Sequence, residues 1–180
     1  MKTRKPLILT ARIDEHDLEF FDRLRQTHFP PDRNHLRAHL TMFHRLPGEH
    51  DGQIREALAE IASGIGTFRA EVDGLRHLGA GVAYTIRSPE LEDVRAALKG
   101  WFSRWLGPQD LQSWQPHITI QNKATKPAAD ALYGQLRQTF RSRSIDMHGL
   151  DLWDYIGGPW RHADFAPFAV TTRPAVSGAP

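Results

Sequence analysis

The sequence predicts an α+β fold made of two similar halves: two mostly antiparallel sheets facing a central cleft, with helices on the outside. Three observations carry this. The tetrads His39-Leu40-Thr41-Met42 and His117-Ile118-Thr119-Ile120 repeat one His-apolar-Thr-apolar pattern 78 residues apart. Each is followed by a helical stretch, a strand running into Gly-Leu (Gly74-Leu75 and Gly149-Leu150) and a returning strand, which is the signature of an internal duplication. No Gly- or Ser-rich linker divides the halves, so residues 1–172 are expected to form a single domain of two lobes, with motif strands at 38–43 and 117–121.

In chain order, residues 6–13 are short, apolar and partly β-branched, as in a buried strand. Asp14 offers an N-cap to an amphipathic helix through Leu18, Phe21, Leu24 and His28, which should end near Pro30-Pro31. The first tetrad continues into Phe43 as an alternating strand closed by Pro47-Gly48. Ile54, Leu58 and Ile61 recur at helical spacing until Gly64 and Gly66. Phe68, Ala70 and Val72 alternate, turn at Gly79 and Gly81, and return through residues 82–86 as a hairpin. Ser88 caps a helix with Pro89 at its first position and a stripe of Leu91, Val94, Leu98, Trp101/Phe102 and Trp105, which reads as core. After Gly107-Pro108 comes the second tetrad, then a helix opened by Pro127 with Leu132, Leu136 and Phe140 inward. Ile145 and Met147 lead to Gly149-Leu150, Leu152-Trp153, a Gly157-Gly158-Pro159 turn and a last strand through Phe165, Phe168 and Val170. The stretch 173–180 has no core-forming pattern and is expected to be a disordered tail.

Composition narrows the function classes. With 180 residues, 40% hydrophobic and 24% charged, the chain suits one domain that buries roughly two-thirds of its unfolded surface. The absence of cysteine removes thiolate metal sites, disulfide frameworks and thiol nucleophiles. A net charge of +2 is compatible with a small anionic substrate but far from the basic footprint of a duplex-DNA binder. The apolar run at 7–9 is too short for a signal sequence or a membrane span, so a cytoplasmic, monomeric protein without a membrane partner is expected.

From the composition, about 0.1 His-apolar-Thr-apolar tetrads would arise by chance, against two present. Residues i and i+2 of a strand share a face, so His39 with Thr41, and His117 with Thr119, each set an imidazole beside a hydroxyl. Leu40, Met42, Ile118 and Ile120 then point into the core. Two such strands at one cleft surround a tetrahedral anion with a base, an acid and hydroxyl donors, the set that metal-free phosphoryl transfer needs.

With these motifs in a chain of this size, the sequence resembles the 2H phosphoesterase superfamily. Within it, the likeness is to the bacterial 2′-5′ RNA ligase (LigT-like) and 2′,3′-cyclic nucleotide phosphodiesterase group. The resemblance spans residues 6–170. It implies a bilobal fold with a central cleft, catalysis with no metal or other cofactor, and RNA ends or nucleotides bearing 2′,3′-cyclic phosphates or 2′,5′-linkages as substrates. It also implies that His39 and His117 are the catalytic pair and that Thr41 and Thr119 bind phosphate, without saying which histidine is base and which acid. The alternatives are a catalytically weak RNA- or nucleotide-binding module that keeps the cleft, and a histidine-based metallohydrolase. Binding without turnover would favour the former and loss of turnover in EDTA the latter.

Weaker features flank the motifs. His35, His39 and His44 invite a zinc reading, but a strand starting near Ala38 keeps His35 and His39 off one helical face. His44 and Arg45, and Lys123 in the second half, sit where the chain leaves the cleft and could contact substrate, although strand ends commonly carry such residues. Trp160 and Arg161 pair an aromatic with a cation, a combination that can stack a base or simply pack an edge. The facing of Tyr84, Trp153 and Tyr155 stays open without the strand register.

Overall fold

A computed structural model describes residues 4–170, so the tail expected at 173–180 lies outside the described residues. The first half runs β1 (Leu7–Ile13), α1 (Glu15–His28), β2 (Leu40–Leu46), α2 (Asp51–Ser63) and β3 (Phe68–His77). The second repeats that order as β4 (Val82–Arg87), α3 (Pro89–Phe102), β5 (His117–Gln121), α5 (Lys126–Thr139) and β6 (Arg143–Tyr155), with a short α4 (Pro108–Leu111) before β5. β7 (Trp160–Pro167) follows. The helix starts obey the capping chemistry. Asp14 accepts from the His16 amide at 2.9 Å and Ser88 from the Leu91 amide at 3.2 Å, with Pro89 in the first turn. Thr125 caps α5 in the same way, accepting from the Ala128 amide.

Hydrogen bonding corrects the expectation of two sheets. All seven strands form one antiparallel sheet in the order β1-β2-β5-β4-β3-β6-β7, and a β1–β6 pairing closes six of them into a ring. The reason is the length of β6. Its first part pairs with β3 and the rest of that edge with β7, while its other edge pairs with β1. Gly149 lies where the partner changes. A Cβ there would collide with the Ala166 carbonyl and the Phe165 ring, so only glycine lets β7 close onto β6. Across the ring, β2 and β5 meet at one pair, Leu40 opposite Ile118. These are the same positions of the two tetrads, so the relation between the halves passes between the motif strands.

One face of each strand packs on the helices. Leu7, Leu9, Ala11 and Ile13 of β1, Leu40 and Met42 of β2, and Ile118 and Ile120 of β5 are buried in a single core. Phe21 of α1 is fully buried edge-on to Tyr84, and burial of such side chains contributes about 1.5–3 kcal/mol each. The other face of the ring lines the cleft.

Four sequence expectations shift. β2 begins at Leu40, so His39 precedes the strand it was expected to occupy. Trp101 is half exposed instead of core. At 100° per residue Phe102 returns to within roughly 20° of Leu91, whereas Trp101 lies roughly 80° off that stripe. Trp105 packs partly buried against the core as expected, but from beyond the end of α3, where it stacks on His50 with ring centroids 4.4 Å apart. β7 ends at Pro167, short of Val170. Of the aromatics whose facing was open, Tyr84 enters the core, Trp153 faces the cleft and Tyr155 is exposed.

Candidate active site

The two motif histidines are held in the same way. The Nδ1 of His39 lies 2.7 Å from the Arg37 carbonyl, and the Nδ1 of His117 lies 2.7 Å from the Gln115 carbonyl. A carbonyl only accepts, so each ring carries its proton on Nδ1 in the neutral form and leaves Nε2 to receive or deliver a proton. Surrounding protein desolvates both rings. This pushes the His39 pKa down to about 4, with the carbonyl of Arg37 opposing and the charges of Arg25, His117 and His44 adding to the drop. His117 is lowered too, by burial first, against the Gln115 carbonyl and with help from Arg76 and His44. The charge of each His therefore depends on what enters the cleft. A bound anion would restore the proton that burial removes.

Behind the cleft, each half anchors the motif strand of the other through a buried arginine. Arg25 of α1 donates to the Thr119 carbonyl at 3.0 Å, and also to Leu36 O and Asn34 Oδ1 on the approach to His39. Arg95 of α3 donates to the Met42 carbonyl at 3.0 Å and to the Asp110 carbonyl at 2.9 Å. Burial lowers the pKa of both, that of Arg25 to about 10, so both remain cations at neutral pH. Asp22 receives the Ala38 amide at 2.8 Å, and Trp114 donates to the Thr41 carbonyl at 3.1 Å. The backbone around both histidines is thus fixed by side chains from elsewhere, as a site needing sub-ångström placement requires.

A cavity of about 710 Å³ opens beside His39, between β1, β6, β7 and the segment 35–39. Trp160 lies against His39, with ring centroids 4.6 Å apart, and Trp153 stands 6.2 Å from Trp160. The Trp153 indole donates to Thr10 Oγ1 at 2.9 Å. Below them Arg12 grips Asp151 with two nitrogens and lies 3.5 Å over the Phe165 ring, while His162 reaches the same carboxylate at 2.7 Å. These pairings compensate the cavity floor in charge and leave an aromatic wall, which suits a flat heterocycle.

Comparison with known proteins agrees with this geometry. The sequence signature of the 2'-5' RNA ligase superfamily matches residues 13–159, which includes both tetrads. The chain belongs to the 2'-5' RNA ligase superfamily. No curated protein sequence matches it significantly. Among solved structures it resembles the protein TT0787 of Thermus thermophilus, with a TM-score of 0.68 at 15% identity, covering 92% of this chain and 99% of that one. It also resembles E. coli LigT complexed with 3'-AMP, with a TM-score of 0.62 at 18% identity and coverage of 93% and 98%. A structure described as a phosphoesterase scores 0.64 at 17% identity, covering 92% and 99%. At these identities the likeness is one of fold.

In this member of the superfamily, the flanking residues picked from sequence divide. His44 directs Nδ1 to Asp110 at 2.9 Å, and Asp110 also receives the amides of His44 and Arg45. Burial raises the pKa of Asp110, but these hydrogen bonds outweigh it and the net shift is downward. Both His44 and Arg45 lie within β2 instead of beyond its end, because that strand runs on to Leu46, whereas Lys123 follows β5; Arg45 and Lys123 are exposed, and Lys123 has a positive φ of 57°. Trp160 lines the cavity, whereas Arg161 faces away from it, paired with Asp154 at 2.6 Å. The two part because adjacent strand residues point to opposite faces. Sequence reading missed Arg12, Asp151, Asp110 and Arg76. The first two alternate with core residues in strands, a parity signal that becomes usable only with the register. Among the described residues no three His, Asp or Glu side chains gather as metal ligands, and no helix is long and apolar enough to cross a membrane.

Proposed function

We propose that this protein is a phosphoesterase that opens 2′,3′-cyclic phosphates of RNA ends or nucleotides, and in the reverse sense forms 2′-5′ linkages, using His39 and His117 as the proton-transfer pair. The observation that carries this reading is their matched tethering: both Nδ1 atoms are committed to carbonyls, and neither Nε2 has a hydrogen-bond partner among the described residues. Thr41 and Thr119, one strand pleat from each histidine, are the donors to the non-bridging phosphate oxygens. In ring opening, a water oxygen attacks phosphorus, one imidazole takes its proton, and the bond to one ribose oxygen breaks. The other imidazole, protonated in the presence of the anion, delivers its proton to that oxygen and a phosphomonoester remains. When a 5′-hydroxyl takes the place of water, its oxygen attacks phosphorus, one imidazole takes its proton, the bond from phosphorus to the 3′-oxygen breaks and the other imidazole protonates that oxygen, leaving a 2′,5′ diester. The nucleoside base fits the cavity beside His39, stacked on Trp160. The ring beside the ribose gives its proton in opening and takes one in the opposite direction.

The test is a panel of 2′,3′-cyclic mononucleotides, 2′,5′-linked dinucleotides and oligoribonucleotides with a cyclic end, assayed with EDTA present. Turnover by the wild type and its loss in the His39→Ala/His117→Ala variant is expected. Turnover near the wild-type level in either single variant would refute the assignment. Oligonucleotide binding without turnover in the wild type would make the protein a binding module instead.

A further inference from the structure

The two ends of the cleft are unlike in charge. At the His39 end Arg12 is spent on Asp151. At the His117 end, Arg76 of β3 stands opposite Ala83 of β4, and Ala83 stands opposite Thr119 of β5. Directly opposed residues of an antiparallel ladder share a face, so Arg76 lies in one row with Thr119 on the cleft face, with only a methyl group between them. Arg76 is exposed, and its side chain has neither hydrogen bond nor ion pair among the described residues. The His44 ring, fixed by the buried Asp110, is close enough to act on both motif histidines. The charges of Arg76 and His44 both act on His117. A single reacting phosphodiester brings about one negative charge, and the two threonines already take its oxygens, which leaves the Arg76 guanidinium without an anion of its own.

We propose that Arg76, together with His44, forms a second anion subsite at the His117 end of the cleft, which takes a phosphate next to the reacting one. That phosphate is a 5′-phosphate on the same nucleotide or the next internucleotide phosphodiester. The proposal rests on reading the cleft as a phosphodiester site, and it narrows the substrate class to molecules with at least two phosphates. An arginine in reach of a phosphate supplies a fork of charge-assisted donors, and the carboxylate-held His44 ring adds one more from Nε2 in its imidazolium form.

The experiment compares kcat/KM for adenosine 2′,3′-cyclic phosphate, the same compound with a 5′-phosphate, and a dinucleotide ending in a 2′,3′-cyclic phosphate. In parallel, calorimetry compares binding of adenosine 3′-monophosphate with adenosine 3′,5′-bisphosphate. The wild type is expected to favour a two-phosphate ligand on the order of 10-fold, equivalent to about 1.4 kcal/mol. In Arg76→Ala the preference falls to within about twofold, in Arg76→Lys it is partly restored, and in His44→Gln it shrinks, as expected for phosphate contacts. Arg69→Ala, on the same strand as Arg76 but paired with Asp146 of β6 at the surface, keeps it. Preference for the 5′-phosphorylated mononucleotide alone assigns the subsite to a terminal phosphate; preference for the dinucleotide alone assigns it to the chain. Equal handling of one- and two-phosphate ligands by the wild type, or a preference that survives Arg76→Ala, overturns the proposal. Preferential bisphosphate binding without turnover keeps the subsite and removes the proposed reaction, whereas turnover without preference does the opposite.

Discussion

The depressed pKa of His39 makes a stability prediction that needs no substrate. In the folded protein the ring titrates at about 4, against an ordinary value of 6.5. Between these values the unfolded chain binds a proton that the folded protein refuses. The stability contribution is therefore intact above about pH 6.5 and is lost as pH falls through the window toward 4. At about pH 5 the shift corresponds to ~2 kcal/mol, at 1.36 kcal/mol per pKa unit. The ring keeps an edge at the cleft, so water screens part of this, and about 1–2 kcal/mol is the working figure. His28 and His117 are lowered as well and add to the wild-type trend, so the comparison must isolate His39. His39→Gln keeps a polar side chain that does not titrate. Urea unfolding of both proteins at about pH 7.5 and about pH 5 should show the wild type losing at least ~1 kcal/mol more than the variant. Equal losses would mean that His39 is solvated like a surface histidine, and the argument that an anion must restore its proton would fall with it.

The other predictions concern the site and its supports. His39→Ala and His117→Ala should each lower kcat on 2′,3′-cyclic substrates by about 10²–10⁴-fold, read by steady-state kinetics, and the wild-type pH–rate profile should be bell-shaped. Trp160→Ala should weaken nucleotide binding by ~1–3 kcal/mol, seen mainly in KM; an unchanged KM would place the base elsewhere. Asp110→Ala strands the His44 and Arg45 amides and frees the His44 ring, and should cost about 2–4 kcal/mol in chemical unfolding. Because the folded-state pKa of Asp110 is depressed, its contribution is present above the ordinary carboxylate range and fades as pH falls through the folded value.

Much of this was readable in the sequence, for definite reasons. The tetrads encode strand parity, and the helix starts encode capping chemistry at Asp14 and Ser88. Both are local rules, and both reappear in the structure. What escaped was non-local. Closure of the ring depends on β6 being long enough to serve three neighbours, and its sequence looks like two short strands broken at Gly149. The clamp joins Arg12 to Asp151, 139 positions away, with His162 added from the neighbouring strand, and the Asp110 carboxylate reaches back 66 residues to His44. Trp101 was placed with its neighbours because two aromatics in succession blur the stripe, and only the packed helix shows which one faces in.

The repeated order of elements gives the two histidines matched tethers, but a symmetric site would be a poor catalyst. Opening a cyclic phosphate needs an acceptor on one side of phosphorus and a donor on the other, and two identical rings compete for the same proton state. The halves differ where it matters. Around His39 the chain builds an aromatic cavity in which Arg12 and Asp151 neutralise each other, so the ring is desolvated and its neutral form favoured. Around His117 it holds His44 against a buried carboxylate and leaves Arg76 unpaired among the described residues, so the uncompensated cation at that end is Arg76. A nucleotide with its base at the first end and its phosphates toward the second meets the charge pattern that suits it, and reversed it does not. Divergence of the residues around two copies of one motif is thus enough to give the cleft a direction.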